Sequence, residues 1–426
     1  MSVYFYSIPA HNVKYINKHA ALDLIRFTPG GISRAELAER MNLTRAAVTS
    51  IVGDLIDSAI IQETESRTGG SGRPPIILEI NPNRGLVAGI DLGASHVSVV
   101  LSNFSAHVIE EQEEPLDIAL GPEICLGRAN ELLENLLTKQ GLSKDRLLAI
   151  GMGVPGPIMS EAGTVIAPPI MPGWNEFPIR DTMEEYWKCP VSLNNDAEVG
   201  ALGEWAYGAA RGEENLVFVK VGTGIGAGLL LDGKIYHGAT GAAGEIGHLT
   251  IDENGPVCTC GNRGCLEALA GGKAIALQAQ EAVKKGKRTQ LADVKPVERI
   301  TAKDVALAAR RGDLIAQQIL ARAGSYLGIA IAGLVNLFNP NMVVVGGGVA
   351  QIGDLFLEPV RETVRQRSLP ASVRVLRITT ALLGRRAPVL GAVSQALGIA
   401  MHTLAEEKVS LETPLMQCGM KCEQRR

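Results

Sequence analysis

The chain has 426 residues, of which 46% are hydrophobic, so it can bury a large core and form two or three domains. Its net charge of −4 argues against a protein that is basic over its whole surface, so any contact with DNA must be local. The seven cysteines are odd in number and irregular in spacing, which argues against a secreted scaffold held together by disulfides.

Neither the first residues nor the apolar runs suggest export or a membrane anchor. Residues 1–6 lack the basic and apolar regions of a signal peptide. The longest apolar run, 326–338, is too short and too rich in glycine for a membrane span, and Asn336 interrupts it. We therefore expect a cytoplasmic protein that does not contact a membrane.

The N-terminal segment, residues 12–80, has the pattern of a winged helix-turn-helix domain. After a first amphipathic helix, Ser33 and Glu36 have the spacing of a capping box, which predicts the start of a second helix. After a tight turn, Thr44 caps a third helix, which is predicted to enter the major groove of DNA. The apolar positions of this third helix recur on one face and should be buried: Val48, Ile51 and Leu55.

The opposite face of the third helix carries side chains that suit DNA. Arg45 can reach a guanine edge or a phosphate, and hydroxyl groups can form hydrogen bonds with a phosphate or a base. The residues predicted to contact DNA from this helix are Thr44, Arg45, Thr49 and Ser50.

Two strand-like runs, 60–63 and 75–80, flank a glycine-rich segment and predict a hairpin wing. This segment contains Arg67 and Arg73, and the run from Gly72 to Pro74 is narrow enough to lay a guanidinium in a minor groove. The alternative is a helical dimerisation module with a glycine linker. The placement of the arginines favours DNA binding, so we expect double-stranded DNA as a partner.

Three glycine-rich turns follow buried strands in the remainder of the chain. They lie at residues 91–95, 221–228 and 343–349, and each has backbone amides that can approach a phosphate or a nucleotide. Each turn alone is equally well explained as a tight connection between core strands. Their order and spacing together predict an α/β protein with a two-lobed, actin-like or sugar-kinase-like (ribonuclease H-like) ATPase fold. The candidate nucleotide-binding residues are Asp91, Gly93, Gly222, Thr223, Gly224, Gly347 and Gly348.

A short segment contains three thiols and one imidazole: Cys258, Cys260, Cys265 and His248. In a reducing compartment such a cluster favours a metal site over disulfides. Three sulfurs and one nitrogen form a closed tetrahedral set for zinc, which is typical of a structural site. The alternative is a chance cluster of buried thiols. We expect one structural zinc ion per chain.

Carboxylates and an amide near the same region suit a sugar. Asn195 and Asp196 follow a strand, and Glu245, His248 and Glu267 flank the cysteines. Such groups can accept or bridge neighbouring hydroxyls, and His248 can direct its second ring nitrogen at a sugar while the first binds zinc. In a kinase, Asp196 would be the base that takes the proton from the attacking hydroxyl. The alternative for Asp196 and Glu245 is helix capping.

These residues also resemble a known family. His248 followed after nine residues by Cys-x-Cys-Gly-x-x-Gly-Cys-x-Glu is similar to the signature of the ROK family of repressors, open reading frames and sugar kinases. The resemblance extends over about residues 12–403, and further blocks in matching order lie at 153–157, 172–174, 195–197 and 201–204. The N-terminal winged helix makes the chain similar to the repressor branch. The resemblance implies a homodimeric or homotetrameric transcription regulator whose DNA affinity is set by a sugar.

The chain departs from the family's kinases at the first phosphate block. These kinases usually have Asp-x-Gly-Gly-Thr-Lys, whereas this chain has Ala94 at the second glycine and His96 at the lysine. A methyl group there opposes the approach of backbone to phosphate, while Asp196 is retained. We therefore expect a protein that binds a sugar without consuming it, and an ATP-dependent sugar kinase is the alternative.

The expected domain boundaries follow from these patterns. The winged helix-turn-helix takes 12–80, a small α/β lobe takes 86–197 together with a final helix at about 388–403, and a large lobe takes 198–387. We expect the zinc site and an oligomerisation surface in the large lobe. Residues 404–426 are polar and are expected to be a mostly disordered tail.

Overall fold

The computed structural model describes residues 13–65, 76–159, 162–166, 168 and 171–412, with side chains described up to residue 406. These residues form two compact units. Among the described residues, the first unit contains 13–65, 76–84 and 398–412, and the second contains the described residues between 85 and 397.

The first unit begins with three helices and a two-stranded sheet. Its elements are α1 (Val13–Phe27), α2 (Arg34–Met41), α3 (Arg45–Asp57), β1 (Ile61–Glu65) and β2 (Ile76–Ile80). The strands are antiparallel, and an isolated bridge joins the segment before α2 to β2. This arrangement agrees with the predicted winged helix-turn-helix.

The ends of α2 and α3 follow from their capping residues. The Ser33 hydroxyl accepts a hydrogen bond from the Glu36 amide at 3.2 Å, but the Glu36 carboxylate pairs with Arg40. The predicted capping box is therefore only half formed. Asn42 has a φ of 52° and ends α2, because Asn tolerates the left-handed conformation there. Thr44 then caps α3 by accepting from the Ala47 amide.

The second unit contains two five-stranded sheets with the same topology. The first has the order β5-β4-β3-β6-β9 and the second has the order β12-β11-β10-β13-β14. In each sheet, the first three strands in this order pair antiparallel, and the last two run parallel to the central strand. The strands of the first sheet are β3 (Leu86–Gly93), β4 (His96–Asn103), β5 (Val108–Pro115), β6 (Leu147–Val154) and β9 (Val191–Asn195). Those of the second are β10 (Leu216–Val221), β11 (Ile225–Leu231), β12 (Lys234–Ile235), β13 (Met342–Gly346) and β14 (Arg377–Thr380).

Helices cover both sheets, and each sheet has its own hydrophobic core. A small hairpin of β7 (Ile158–Met159) and β8 (Thr164–Val165) follows the first sheet's fourth strand. The helices that follow strands of the first sheet along the chain are α4 (Pro122–Lys139), α5 (Ile179–Trp187) and α6 (Asp196–Tyr207). Those that follow are α7 (Leu266–Ala270), α8 (Gly272–Lys284), α9 (Ala302–Arg310), α10 (Leu314–Phe338), α11 (Asp354–Arg367), α12 (Pro370–Val375) and α13 (Ala387–Glu412). The repeated topology agrees with the predicted two-lobed fold.

Two predicted boundaries differ from the structure. The division between lobes at residues 197 and 198 falls inside α6, which packs against strands of both sheets. The final helix, predicted to end at about 403, continues to Glu412, so residues 404–412 are helical. Its second half belongs to the first unit, where Ala405 is buried and its carbonyl accepts a hydrogen bond from Lys18 of α1. Packing against α1 therefore outweighs the polar composition of this segment.

Two helical segments are long and apolar enough to cross a membrane. They are Leu314–Phe338 and Gly384–Glu406, with mean hydropathies of 1.4 and 1.3. The apolar run predicted to be too short for a span is thus part of a 25-residue helix. The most apolar windows of the two segments are 61% and 89% buried inside the protein, which is typical of core helices.

Candidate functional site

The recognition helix α3 has the buried and exposed faces that its sequence predicts. Val48, Ile51 and Leu55 are each at most 4% exposed, so the inward face is confirmed. The candidate DNA contacts Thr44, Arg45, Thr49 and Ser50 are all exposed. Arg67 and Arg73, the candidates in the wing, lie outside the described residues.

Two hydroxyls of α3 also have roles within the helix. Thr44 supplies the N-cap, and the Thr49 hydroxyl donates to the Arg45 carbonyl at 2.8 Å. An oxygen that donates one hydrogen bond still has lone pairs that accept another. The guanidinium of Arg45 is therefore the group on this face with the strongest donors for a base or a phosphate.

The four predicted metal ligands lie together. Their ligand atoms are all within 4.8 Å of one another. The sulfurs of Cys260 and Cys265 are 3.7 Å apart, and the Cys258 sulfur is 3.7 Å from His248 Nδ1. A tetrahedral site with Zn–S bonds of about 2.3 Å has sulfurs roughly 3.8 Å apart, so the donor set and its spacing fit zinc.

The backbone of the cysteine loop explains how short spacing closes this set. Gly264 has a φ of 63°, and a Cβ there would lie 1.5 Å from the Asp252 carbonyl oxygen. Only glycine fits this close approach. Burial, together with the neighbouring cysteines, raises the pKa of the Cys265 thiol to about 12, so a bound cation would be needed to hold it as a thiolate.

The carboxylates of the predicted sugar site lie within electrostatic reach of Glu245. Nε2 of His248 lies 3.9 Å from Glu245. Burial raises the pKa of Glu245, the charge of His248 opposes this, and the negative charges of Asp196, Glu267 and Glu198 add to the rise. The structure thus brings these acidic groups within electrostatic reach of one another. A cluster of this kind has many acceptors for hydroxyl groups, which suits a polyol.

Two predicted sugar contacts are engaged in hydrogen bonds that position the site. Asn195 caps α6, because its side-chain oxygen accepts a hydrogen bond from the Ala197 amide at 2.8 Å. The side-chain nitrogen of Asn195 donates to the Gly156 carbonyl at 2.9 Å. The capping role that was considered for Asp196 thus belongs to Asn195. Glu267 accepts a hydrogen bond from the Ile225 amide at 3.1 Å, which ties α7 to the second sheet.

The first and second candidate phosphate turns differ in what surrounds them. A Cβ at Gly93 would lie 2.1 Å from the His96 ring, so this imidazole covers the first turn. His96 Nε2 is 3.1 Å from Asp91, which is fully buried. In the second turn, a Cβ at Gly222 would meet nothing within 4 Å, whereas one at Gly224 would lie 2.2 Å from Glu267.

The third candidate turn is held against the second. Gly347 has a φ of 86°, and a Cβ there would lie 2.4 Å from the Val221 carbonyl oxygen. Gly348 lies two residues after the end of β13, and Thr223 lies two residues after the end of β10. The second and third turns thus follow strands of the second sheet, while the His96 ring fills the first.

Several polar residues of the site were not predicted. Lys220 Nζ donates to Asp196 at 2.7 Å, and His237 Nδ1 lies 2.9 Å from Glu198. Burial opposes a charge on His237, but the hydrogen bond and the charge of Glu198 outweigh it and raise the pKa. A single lysine within the apolar strand 216–221 was the available signal for the first pair. The second pair has no local signal, because its partners are 39 residues apart.

Comparison with known proteins identifies relatives along most of the chain. A model of the ROK family matches residues 87–398. The chain is 35% identical to "Xylose repressor" of Caldicellulosiruptor bescii over 385 residues, covering 90% of this chain and 96% of that protein. It is 37% identical to "Glucokinase" of Halalkalibacterium halodurans over 305 residues, covering 71% of this chain and 92% of that protein.

A solved structure matches the fold over nearly the whole length. A crystal structure of a ROK family transcriptional regulator, a homolog of the E. coli MLC protein, superimposes with a TM-score of 0.80 and 29% identity. It covers 92% of this chain and 99% of its own. This match confirms the predicted fold. The match to the glucokinase covers 71% of this chain, whereas the matches to the xylose repressor and to the ROK regulator cover 90% and 92%. This difference is expected if the glucokinase has no counterpart of the first unit.

Proposed function

The chain belongs to the ROK family, and we propose that it is a transcriptional repressor whose affinity for operator DNA is controlled by a bound sugar. The observation that carries this proposal is a helix-turn-helix in the same chain as a sugar-kinase-like unit. Its recognition helix buries three apolar residues and exposes Arg45, Thr49 and Ser50. The relatives of this chain include proteins named as xylose repressors, and the matches to them cover 90% of this chain.

The DNA-binding part of the proposal assigns the recognition contacts to α3. Arg45 would contact a guanine edge or a phosphate, with the hydroxyls of Thr49 and Ser50 beside it. Thr44 would act through the helix cap, and Arg67 and Arg73 would belong to the wing. We further propose a homodimer or homotetramer, because two copies of a helix-turn-helix bind two half-sites of one operator.

The sugar-binding part places the effector at the acidic cluster of the second unit. Asp196, Glu245, Glu267 and His248 would bind its hydroxyls, with Asn195 fixing the start of α6. The raised pKa of Glu245 supports this, since a cluster of acids of this kind is suited to hydrogen bonding with a neutral polyol. D-xylose and D-glucose are the first sugars to test, because repressors and kinases named for them are relatives.

Zinc is proposed as a structural ion held by His248, Cys258, Cys260 and Cys265. When bound, it would supply a fixed anchor for the imidazole and the cysteine loop. With Nδ1 directed at the cysteines, His248 presents Nε2 toward Glu245 and the sugar site. The loop would then connect the metal site with sugar binding.

An operator titration tests the function. Purified protein is titrated onto its own promoter DNA with and without a sugar that calorimetry shows to bind. We expect the sugar to change operator affinity roughly five- to 150-fold, since allosteric coupling is typically about 1–3 kcal/mol. A saturating, specifically bound sugar that leaves DNA affinity unchanged would contradict a sensor.

An ATP-dependent sugar kinase is the second candidate function. The observation in its favour is Asp196 at the start of α6, where it would take the proton from a sugar hydroxyl. A coupled assay for ADP release with D-glucose and D-xylose distinguishes the two. Turnover that is lost in Asp196→Asn would establish the kinase.

A further inference from the structure

In the second unit, a lysine of one sheet contacts one carboxylate of the other sheet and lies within electrostatic reach of a second. Lys220 belongs to β10 in the second sheet, while Asp91 lies on β3 and Asp196 directly follows β9, both in the first sheet. Lys220 Nζ is 2.7 Å from Asp196 Oδ2, and the two side chains are only 19% and 15% exposed. The ammonium therefore links the second sheet to a carboxylate at the end of a strand of the first sheet.

The local sequence leaves room for this side chain. The residues paired with Lys220 on the neighbouring strands β11 and β13 are Gly226 and Gly346. Cross-strand partners share one face of a sheet, so no side chain flanks the lysine stem on either strand. Helix α6 packs against β10 and β11, and Asp196 at its first position meets the end of the lysine.

The charges explain why the lysine stays protonated. Burial alone would lower the pKa of Lys220, but the negative charges of Asp196 and Asp91 outweigh it and raise the pKa, against a small opposing effect of Arg385. Asp91 is fully buried, and its Oδ1 accepts no hydrogen bond from the described residues, while Oδ2 faces His96. A buried carboxylate with an unsatisfied oxygen is costly without a compensating charge nearby.

We propose that Lys220 is a built-in cation that pairs with Asp196 and partly offsets the charge of the neighbouring Asp91, where phosphoryl-transfer enzymes use a divalent metal ion. In enzymes that transfer phosphoryl groups, a divalent metal ion bound to the phosphates supplies the positive charge beside such carboxylates. Here the single positive charge of the ammonium offsets one of the two negative charges, and the His96 ring covers the glycine turn beside Asp91. Asp196 is held as a hydrogen-bond acceptor for a sugar rather than as a base. This inference rests on the proposed sugar-binding function and names the residue that takes the place of a divalent metal ion beside Asp196.

The test removes the charge and asks whether an external cation replaces it. Lys220→Met leaves two buried carboxylates without their counter-charge, whereas Lys220→Arg keeps it. The matched control is Lys303→Met, which removes an exposed lysine on α9. Thermal melting is measured for each protein with and without magnesium or manganese chloride, at neutral and at mildly acidic pH.

We expect magnesium or manganese to raise the melting temperature of Lys220→Met alone. Lowering the pH should raise the melting temperature of this variant relative to wild type at the same pH, because one carboxylate becomes protonated. Wild type, Lys220→Arg and Lys303→Met should show neither response. If Lys220→Met does not fold, the double variant Lys220→Met with Asp196→Asn removes both partners and should restore folding. A folded Lys220→Met that responds to neither cations nor pH would overturn the proposal, as would a double variant that also fails to fold.

Calorimetry with D-glucose and D-xylose separates this inference from the proposed function. We expect wild-type affinity to be the same with and without magnesium, and Lys220→Met to bind at least about tenfold more weakly, which is a loss of about 1.4 kcal/mol. Wild type that binds neither sugar, combined with a cation response in Lys220→Met, would count against these effectors while supporting the role of Lys220. Unchanged sugar affinity in Lys220→Met would contradict that role.

Discussion

At the scale of single residues, Arg45 gives the most direct test of DNA binding. It is exposed on α3 and is the one arginine of the predicted contacts among the described residues. Losing a bidentate base contact costs about 1–3 kcal/mol, so Arg45→Ala should weaken operator binding roughly five- to 150-fold without changing the melting temperature. Gel-shift titration measures this. Arg299→Ala, an exposed arginine in the second unit, is the matched control, and equal losses in both variants would refute a specific contact.

The metal site makes a second prediction at this scale. Cys260→Ser removes one of four donors whose sulfurs and nitrogen lie within 4.8 Å. We expect the purified variant to lose most of its zinc by elemental analysis and to bind sugar more weakly, because His248 then lacks its anchor. Cys125→Ser, a buried thiol outside the cluster, should keep one zinc per chain. Reduced wild-type protein without zinc would reject the site.

At the scale of elements, α13 and α1 form a contact that was not predicted. The His19 ring of α1 contacts the ring of Tyr15 in the same helix and that of His402 in α13, tilted by 48° and 56°, with centroids 4.1 Å apart in both cases. His19 is 4% exposed, and burial, followed by the charges of His402 and Lys18, lowers its pKa from 6.5 to about 3. Asp23 lies 3.9 Å from His402 in the same cluster. The part of α13 around His402 thus lies among titratable side chains of α1.

This contact predicts a loss of stability in acid. Between pH 6.5 and about 3 the unfolded chain binds a proton at His19 that the folded chain does not, so stability should fall as the pH drops through this window. His19→Phe keeps an aromatic ring and removes the proton. We expect its urea midpoint to change less than that of wild type between about pH 7 and about pH 5. His107→Phe, at an exposed position, should retain the wild-type dependence, and an unaltered slope in His19→Phe would disprove the assignment.

At the scale of the whole molecule, DNA binding and sugar binding should be separable by mutation. A ligand changes DNA affinity only through its different affinity for two states of the protein. Asp196→Asn weakens the sugar site in the second unit, so it should preserve operator affinity and reduce the response to sugar. Arg45→Ala should do the reverse. Operator titrations with and without sugar measure both, and a full sugar response in Asp196→Asn would remove Asp196 from the effector site.

The sequence by itself determined the features that depend on neighbours along the chain. The burial pattern of α3 follows from helical periodicity, and the four metal donors lie between residues 248 and 265, where glycines allow a tight loop. The turns after β3 and β10 were also visible, because buried strands end there in glycine. Short-range spacing limits the conformations of such segments strongly, so these predictions needed no knowledge of the fold.

Only the tertiary structure decided which polar side chains meet across the fold. Lys220 reaches Asp196 because α6 packs on β10, and His237 reaches Glu198 from a loop 39 residues further along the chain. Asn195, which is predicted to bind sugar, also caps α6 by accepting a hydrogen bond from the Ala197 amide, and its own amide donates to the Gly156 carbonyl. Residues 404–412, predicted to be part of a disordered tail, are helical, and α1 packs against their start. These outcomes depend on burial and counter-charge from distant residues, since a buried polar group is stabilised only by the partners that folding brings to it.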